Sequence, residues 1–98
     1  MYKMVVAVIE RGLLEKITSE MRKERLHFSY SEVRGSGKEV HLYHEDIVDR
    51  LKIEVIAAEQ DVEKVKKIIM ESAPRGIPGA GIIIVYDIDE FIDLSETK

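Results

Sequence analysis

The chain has neither cysteine nor tryptophan in its 98 residues. The missing thiols exclude a disulfide scaffold, thiol catalysis and cysteine-ligated zinc together. Long hydrophobic runs are also missing. The stretch that begins Met1-Tyr2-Lys3-Met4-Val5-Val6 turns charged at Glu10-Arg11, too soon for a secretory signal or a membrane span. A cytoplasmic protein is the expectation. Nor is there an excess of basic charge. Fifteen Lys and Arg against 19 Asp and Glu leave a net −4, so broad phosphate-backbone contact, and with it a nucleic-acid partner, is not expected. What is present is 45% apolar residues, enough for an ordered core. The length predicts one domain, 1–98, with little room for a private active site. Domains this small often gain a site at an interface between copies.

Met4 to Ile9 is an unbroken apolar run rich in β-branched residues, which suits a strand covered on both faces. Leu13, Leu14, Ile17 and Met21 then recur at helical spacing and predict an amphipathic helix from Gly12 to about Arg25. His27 to Val33 alternates as a strand, and His27 at its start reads as an edge residue. Leu51 to Ala58 alternates again, Asp61 is placed to cap a helix, and Val62, Val65, Ile68 and Ile69 carry that helix to about Ser72. Residues 74–81 hold both prolines of the chain and three of its glycines, a loop. Ile82 to Tyr86 reads as a second buried strand, followed by an acidic tail over 87–98 with Phe91-Ile92 as apolar anchors. That tail either wraps a neighbouring subunit or closes the sheet edge as a short strand.

The order β-α-β-β-α-β predicts an α+β, ferredoxin-like sandwich: an antiparallel sheet with two helices on one face. Its other face also carries apolar residues from the first and last strands. A chain of this length has nothing to cover them, so burial alone predicts self-association.

The segment Ser31-Glu32-Val33-Arg34-Gly35-Ser36-Gly37 resembles the T-E-V-K-G-x-G signature of the PII signal-transduction (nitrogen regulatory protein P-II) family. The likeness continues through Lys52-Ile53-Glu54-Val55 and resumes at Gly76 to Asp87, so it spans nearly the whole chain. The chain is similar to a divergent member with a shortened T-loop, here the 34–50 connection. The resemblance implies a homotrimer, nucleotide sites in the clefts between subunits, and a T-loop that engages a membrane transporter or an enzyme. It implies a non-enzymatic regulator with no required cofactor.

Carried over residue by residue, Ser29 lies beside adenine and Ile56 in the apolar wall of that pocket. Gly35, Gly37, Lys38, Gly79, Ala80 and Gly81 fall where backbone N–H groups cradle phosphates. Arg34, Lys38 and Arg75 remain as phosphate partners. Lys38, Glu39, His41, Tyr43 and His44 belong to the partner-binding loop. The departures concern charge: Ile82, Asp93 and Ser95 stand where the family has phosphate-facing cations, and Ala80 replaces an aspartate. Losing those cations disfavours a triphosphate, so AMP, cyclic AMP or ADP is expected before ATP.

Two plainer readings stand beside this one. The Gly79-Ala80-Gly81 loop also reads as a tight turn into the last strand. His41 and His44 with Glu45 and Asp46 give an H-x-x-H-E-D pattern, half of a metal site that three-fold symmetry would complete, as in a trimeric divalent-metal protein resembling the cation-tolerance proteins. Catalysis has no nucleophile–base constellation to rest on.

Overall fold

The N-terminal apolar run forms an inner strand of a four-stranded antiparallel sheet in the computed structural model, which describes residues 1–35, 48–73, 76 and 80–96. The elements are β1 (Tyr2–Ile9), α1 (Leu14–Lys23), β2 (Phe28–Gly35), β3 (Val48–Ala58), α2 (Val62–Ser72) and β4 (Gly81–Asp87). Single 3₁₀ turns precede each helix, at Arg11–Leu13 and Glu59–Asp61, and a third lies at Leu94–Glu96. Across the sheet the strands run β2-β3-β1-β4. This is the ferredoxin-like α+β architecture that the element order predicts. Residues 34, 35 and 48–50, read as part of the long connection, are strand, so β2 and β3 reach further into it.

Register assigns each residue to a face. Val5, Ala7 and Ile9 pair with Val55, Ile53 and Leu51 and point to the helices. They pack with Ile17, Met21, Val62, Val65 and Ile69 in one core. Val6 and Val8 are also buried, on the opposite face, so β1 is covered on both sides as its composition requires.

Helix α1 ends earlier than its apolar spacing suggests. Leu26 N donates to Met21 O at 2.9 Å and Arg25 N to Arg22 O at 3.0 Å, the two bonds of a Schellman cap. Arg25 sits at the left-handed position of that cap with φ 57°, where glycine is usual. This turn aims the chain into β2 and so positions His27.

Three expectations are corrected. Asp61 occupies the position before α2, yet its side chain makes no capping bond. Its φ of −94° and ψ of −7° are already helical, whereas a capping side chain needs extended backbone. Ile82–Tyr86 is not a buried strand, because β4 is an edge strand: Ile84 and Tyr86 are 45% and 49% exposed. Among its described residues the tail adds no strand either. Ile88 N donates to Tyr2 O at 3.2 Å, and the Phe91 ring lies 4.8 Å from the Tyr2 ring of the same chain. Among the described residues no helix is long and apolar enough to cross a membrane.

Candidate functional site

The site residues divide between two regions of the sheet. Gly35 closes β2 opposite Val48, and Gly81 opens β4 opposite Ile9, which in turn pairs with Leu51. Gly35 and Gly81 therefore mark strand ends on the side where the β2–β3 connection leaves, but on opposite edges of the sheet, and Gly81 is level with Glu32, as far along the strands from Gly35 as from Ser29. Ser29 and Ile56 lie toward the other end. Six residues separate Ser29 from Gly35 along β2, about 20 Å of extended chain. That is more than the span between the base and the phosphates of one bound nucleotide. Gly37, Lys38, Glu39, His41, Tyr43, His44, Arg75 and Gly79 lie outside the described residues.

At the Ser29 end the open face of the sheet holds a cleft of about 260 Å³ lined by Met4, His27, Phe28, Ser29, Glu54 and Ile56. Ser29 is the cross-strand partner of Glu54, and Met4 of Ile56, so register alone assembles one polar row beside one apolar row. Glu54 makes a loose ion pair with Lys52, Oε1 to Nζ 3.7 Å, on the same face. On the helix side of the sheet, Arg22 of α1 stands 5.5 Å over the Phe28 ring, a cation–π contact that ties α1 to the start of β2. The arrangement offers an apolar floor for a flat ring, with a hydroxyl and a carboxylate along its rim.

At the connection end, Gly81 has a structural reason to be glycine. Its φ is +130°, and a Cβ there would meet the Val8 carbonyl oxygen at 2.3 Å. This close approach supports the turn reading for that residue independently of any ligand. An apolar groove of about 520 Å³ runs from Gly76, Ala80 and Gly81 between α2 and β4. Of the described residues lining it, Lys66 alone is charged, and it is paired with Glu63 at 3.0 Å.

Sequence reasoning missed Arg50. It pairs with Val33 on the open face and is only 4% exposed, and neither its Nε nor its Nη1 has an acceptor among the described residues. Two buried guanidinium nitrogens without acceptors are costly, so this position is suited to an anion. Its period-two offset from Lys52 and Glu54 was readable, but its burial was not. Among the described residues no group of three or more His, Asp or Glu side chains is placed to hold a metal ion.

Two electrostatic features flank these regions. The hydrogen bond to the Asp87 carboxylate, reinforced by attraction to Asp87 and Glu59, holds the Lys3 ammonium above its ordinary pKa and ties β1 to the end of β4. In the tail, the Ser95 hydroxyl and then the Ser95 backbone N–H donate to Asp93 and hold its carboxyl below the usual range.

A family model described as nitrogen regulatory protein P-II matches residues 2–98. Nitrogen regulatory protein P-II 2 of Methanothermobacter thermautotrophicus is 29% identical, over 92% of this chain and 86% of the relative. Nitrogen regulatory protein P-II of Pasteurella multocida is 27% identical, over 92% and 88%. The Porphyra purpurea protein of the same name is 36% identical over 50 residues, 51% of this chain and 45% of its own length.

Proposed function

The chain belongs to the nitrogen regulatory protein P-II family, and from that premise we propose that it is a signal-transduction regulator and not an enzyme. It binds an adenine nucleotide in clefts between the protomers of a homotrimer and controls a transporter or enzyme through the β2–β3 connection. The observation that carries this reading is the separation of Ser29 and Ile56 from Gly35 along the strands, and of Ser29 from Gly81 across the sheet on the opposite edge strand. A base held at one end of a protomer and phosphates held at the other end of its neighbour reconcile that separation with a single ligand. The exposed Ile56, Ile84 and Tyr86 on the open face favour the same assembly, since contact with copies would remove them from water.

In this assembly the Ser29–Glu54 cleft takes the base. Arg50, near the start of β3, supplies an anion partner in addition to those the family likeness names, Arg34, Lys38 and Arg75. Ligand then acts by population shift: it favours one arrangement of the connection, and that arrangement alone fits the partner. The reduced positive charge directs the choice toward AMP, cyclic AMP or ADP.

Thermal-shift measurements with AMP, cyclic AMP, ADP, ATP, zinc and copper test the proposal, because a ligand that binds only the folded state raises the melting temperature. Stabilisation by AMP, cyclic AMP or ADP, lost in Ile56→Glu and in Gly37→Val, is the expected result. Tight magnesium-ATP binding cooperative with 2-oxoglutarate contradicts the ligand choice. Stabilisation by zinc or copper alone, lost when His41 and His44 are both changed to Ala, contradicts the nucleotide reading.

A further inference from the structure

We propose that His27 contacts the ligand in the open-face cleft and sets how strongly that cleft holds a base carrying an exocyclic amine. The inference rests on the nucleotide reading above and adds a residue to it. Phe28 pairs with Val55, so position 27 falls opposite Ile56, on the same face as Ser29. The chain reaches it through the Schellman turn at Arg25, which fixes the approach. His27 thus lines one side of the cleft, Met4 and Ile56 form its apolar part, and Ser29 and Glu54 supply its polar rim.

Glu54 is the strongest acceptor in the cleft. Its long pair with Lys52, 3.7 Å, engages Oε1 and leaves Oε2 for a further donor. An exocyclic amine on a bound base donates to this carboxylate. Neutral His27 leaves the carboxylate free and offers a flat ring and one acceptor nitrogen to the ligand. Protonated His27 has two donors and no acceptor, and the nearest anion across the cleft is Glu54. Imidazolium and ligand amine then compete for one carboxylate, so affinity falls as His27 gains its proton. The other charged or titratable groups near this end are Lys52 through its pair with Glu54, Arg22 over the Phe28 ring, Arg25 two residues ahead, and Tyr86 beyond Met4 in the same cross-strand row.

Calorimetric titration of AMP and ADP into the wild-type protein and His27→Gln, at about pH 7.5 and about pH 5.5 on either side of the ordinary imidazole pKa of ~6.5, tests this. The wild type is expected to lose about ten-fold in affinity on acidification. His27→Gln, which removes the ring contact, is expected to bind more weakly than wild type at the higher pH and, on acidification, to lose only what the nucleotide phosphate's own protonation removes. Equal losses in the two proteins overturn the role of His27 and leave the nucleotide reading standing. No binding of either nucleotide to the wild type at either pH overturns both. Imidazole NMR signals provide a second readout, since those of His27 must shift when AMP is added at the higher pH, and unmoved signals beside measurable binding overturn the contact.

Discussion

The two faces of the sheet are built from the same period-two alternation and end with different roles. Toward the helices, Val5, Ala7, Ile9, Ile53 and Val55 are fully buried against Ile17, Met21, Val65 and Ile69. On the opposite face, exposed Ile56, Ile84 and Tyr86 alternate in space with Ser29, Lys52 and Glu54. A face whose apolar centre is satisfied by the protomer's own helices belongs to folding. The mixed face, with its carboxylate and hydroxyl aligned by register and Ile56, Ile84 and Tyr86 left in water, is the one proposed to bind.

The largest effect that separates the faces should come from Gly81→Val. A side chain there meets the Val8 carbonyl and is held at an unfavourable φ, so the β1–β4 pairing breaks and denaturant melts should show a loss of about 3 kcal/mol or more. If that variant melts like wild type, β4 is not held as described. Next, Ile53→Ala on the covered face should cost about 2–5 kcal/mol at any protein concentration. Ile84→Ala on the open face should change protomer stability by less than about 1 kcal/mol, while lowering the apparent melting temperature more at low concentration than at high. Equal costs for the two substitutions would erase the distinction between the faces.

Smaller and opposite in sign is Arg25→Gly. Relieving a left-handed arginine in the Schellman turn should stabilise the protein by about 1 kcal/mol in the same melts. The smallest effect is local to the tail. The Asp93 carboxyl should titrate with an NMR midpoint below 3.8, and Ser95→Ala should move that midpoint up. Because the folded value is depressed, the contribution is present above 3.8 and is lost as pH falls through the folded midpoint.

Much of the covered face was legible in the sequence, because local patterns encode it. The apolar spacing of Leu13, Leu14, Ile17 and Met21 named the buried side of α1, and Met4–Ile9 announced an inner strand. Ile82–Tyr86 misled for a physical reason. Its composition matches that of β1, and only the non-local strand order puts it at an edge. The same limit applies to the cleft. Ser29 and Ile56 were found through family likeness, but Glu54 and His27 join them by cross-strand register, which no local period reveals. Helix α1 ends on an arginine in a glycine-like conformation, so the usual stop signal was missing and the helix was read two residues too long. Arg50 stayed hidden because its burial depends on the folded surroundings of the first turn of β3.

The central claim is that one ligand is held by two protomers, the base by the Ser29–Glu54 cleft of one and the phosphates by the connection end of the other. Mixing two defective variants tests it most directly. Ile56→Glu blocks the first half-site and Gly79→Val the second, and each alone should bind no AMP or ADP in equilibrium dialysis. Unfolded together and refolded at equal amounts, they should recover about a quarter of the wild-type binding stoichiometry, since each mixed trimer regenerates one intact cleft. A mixture that binds no more than its separate components would contradict the claim and return both half-sites to a single protomer.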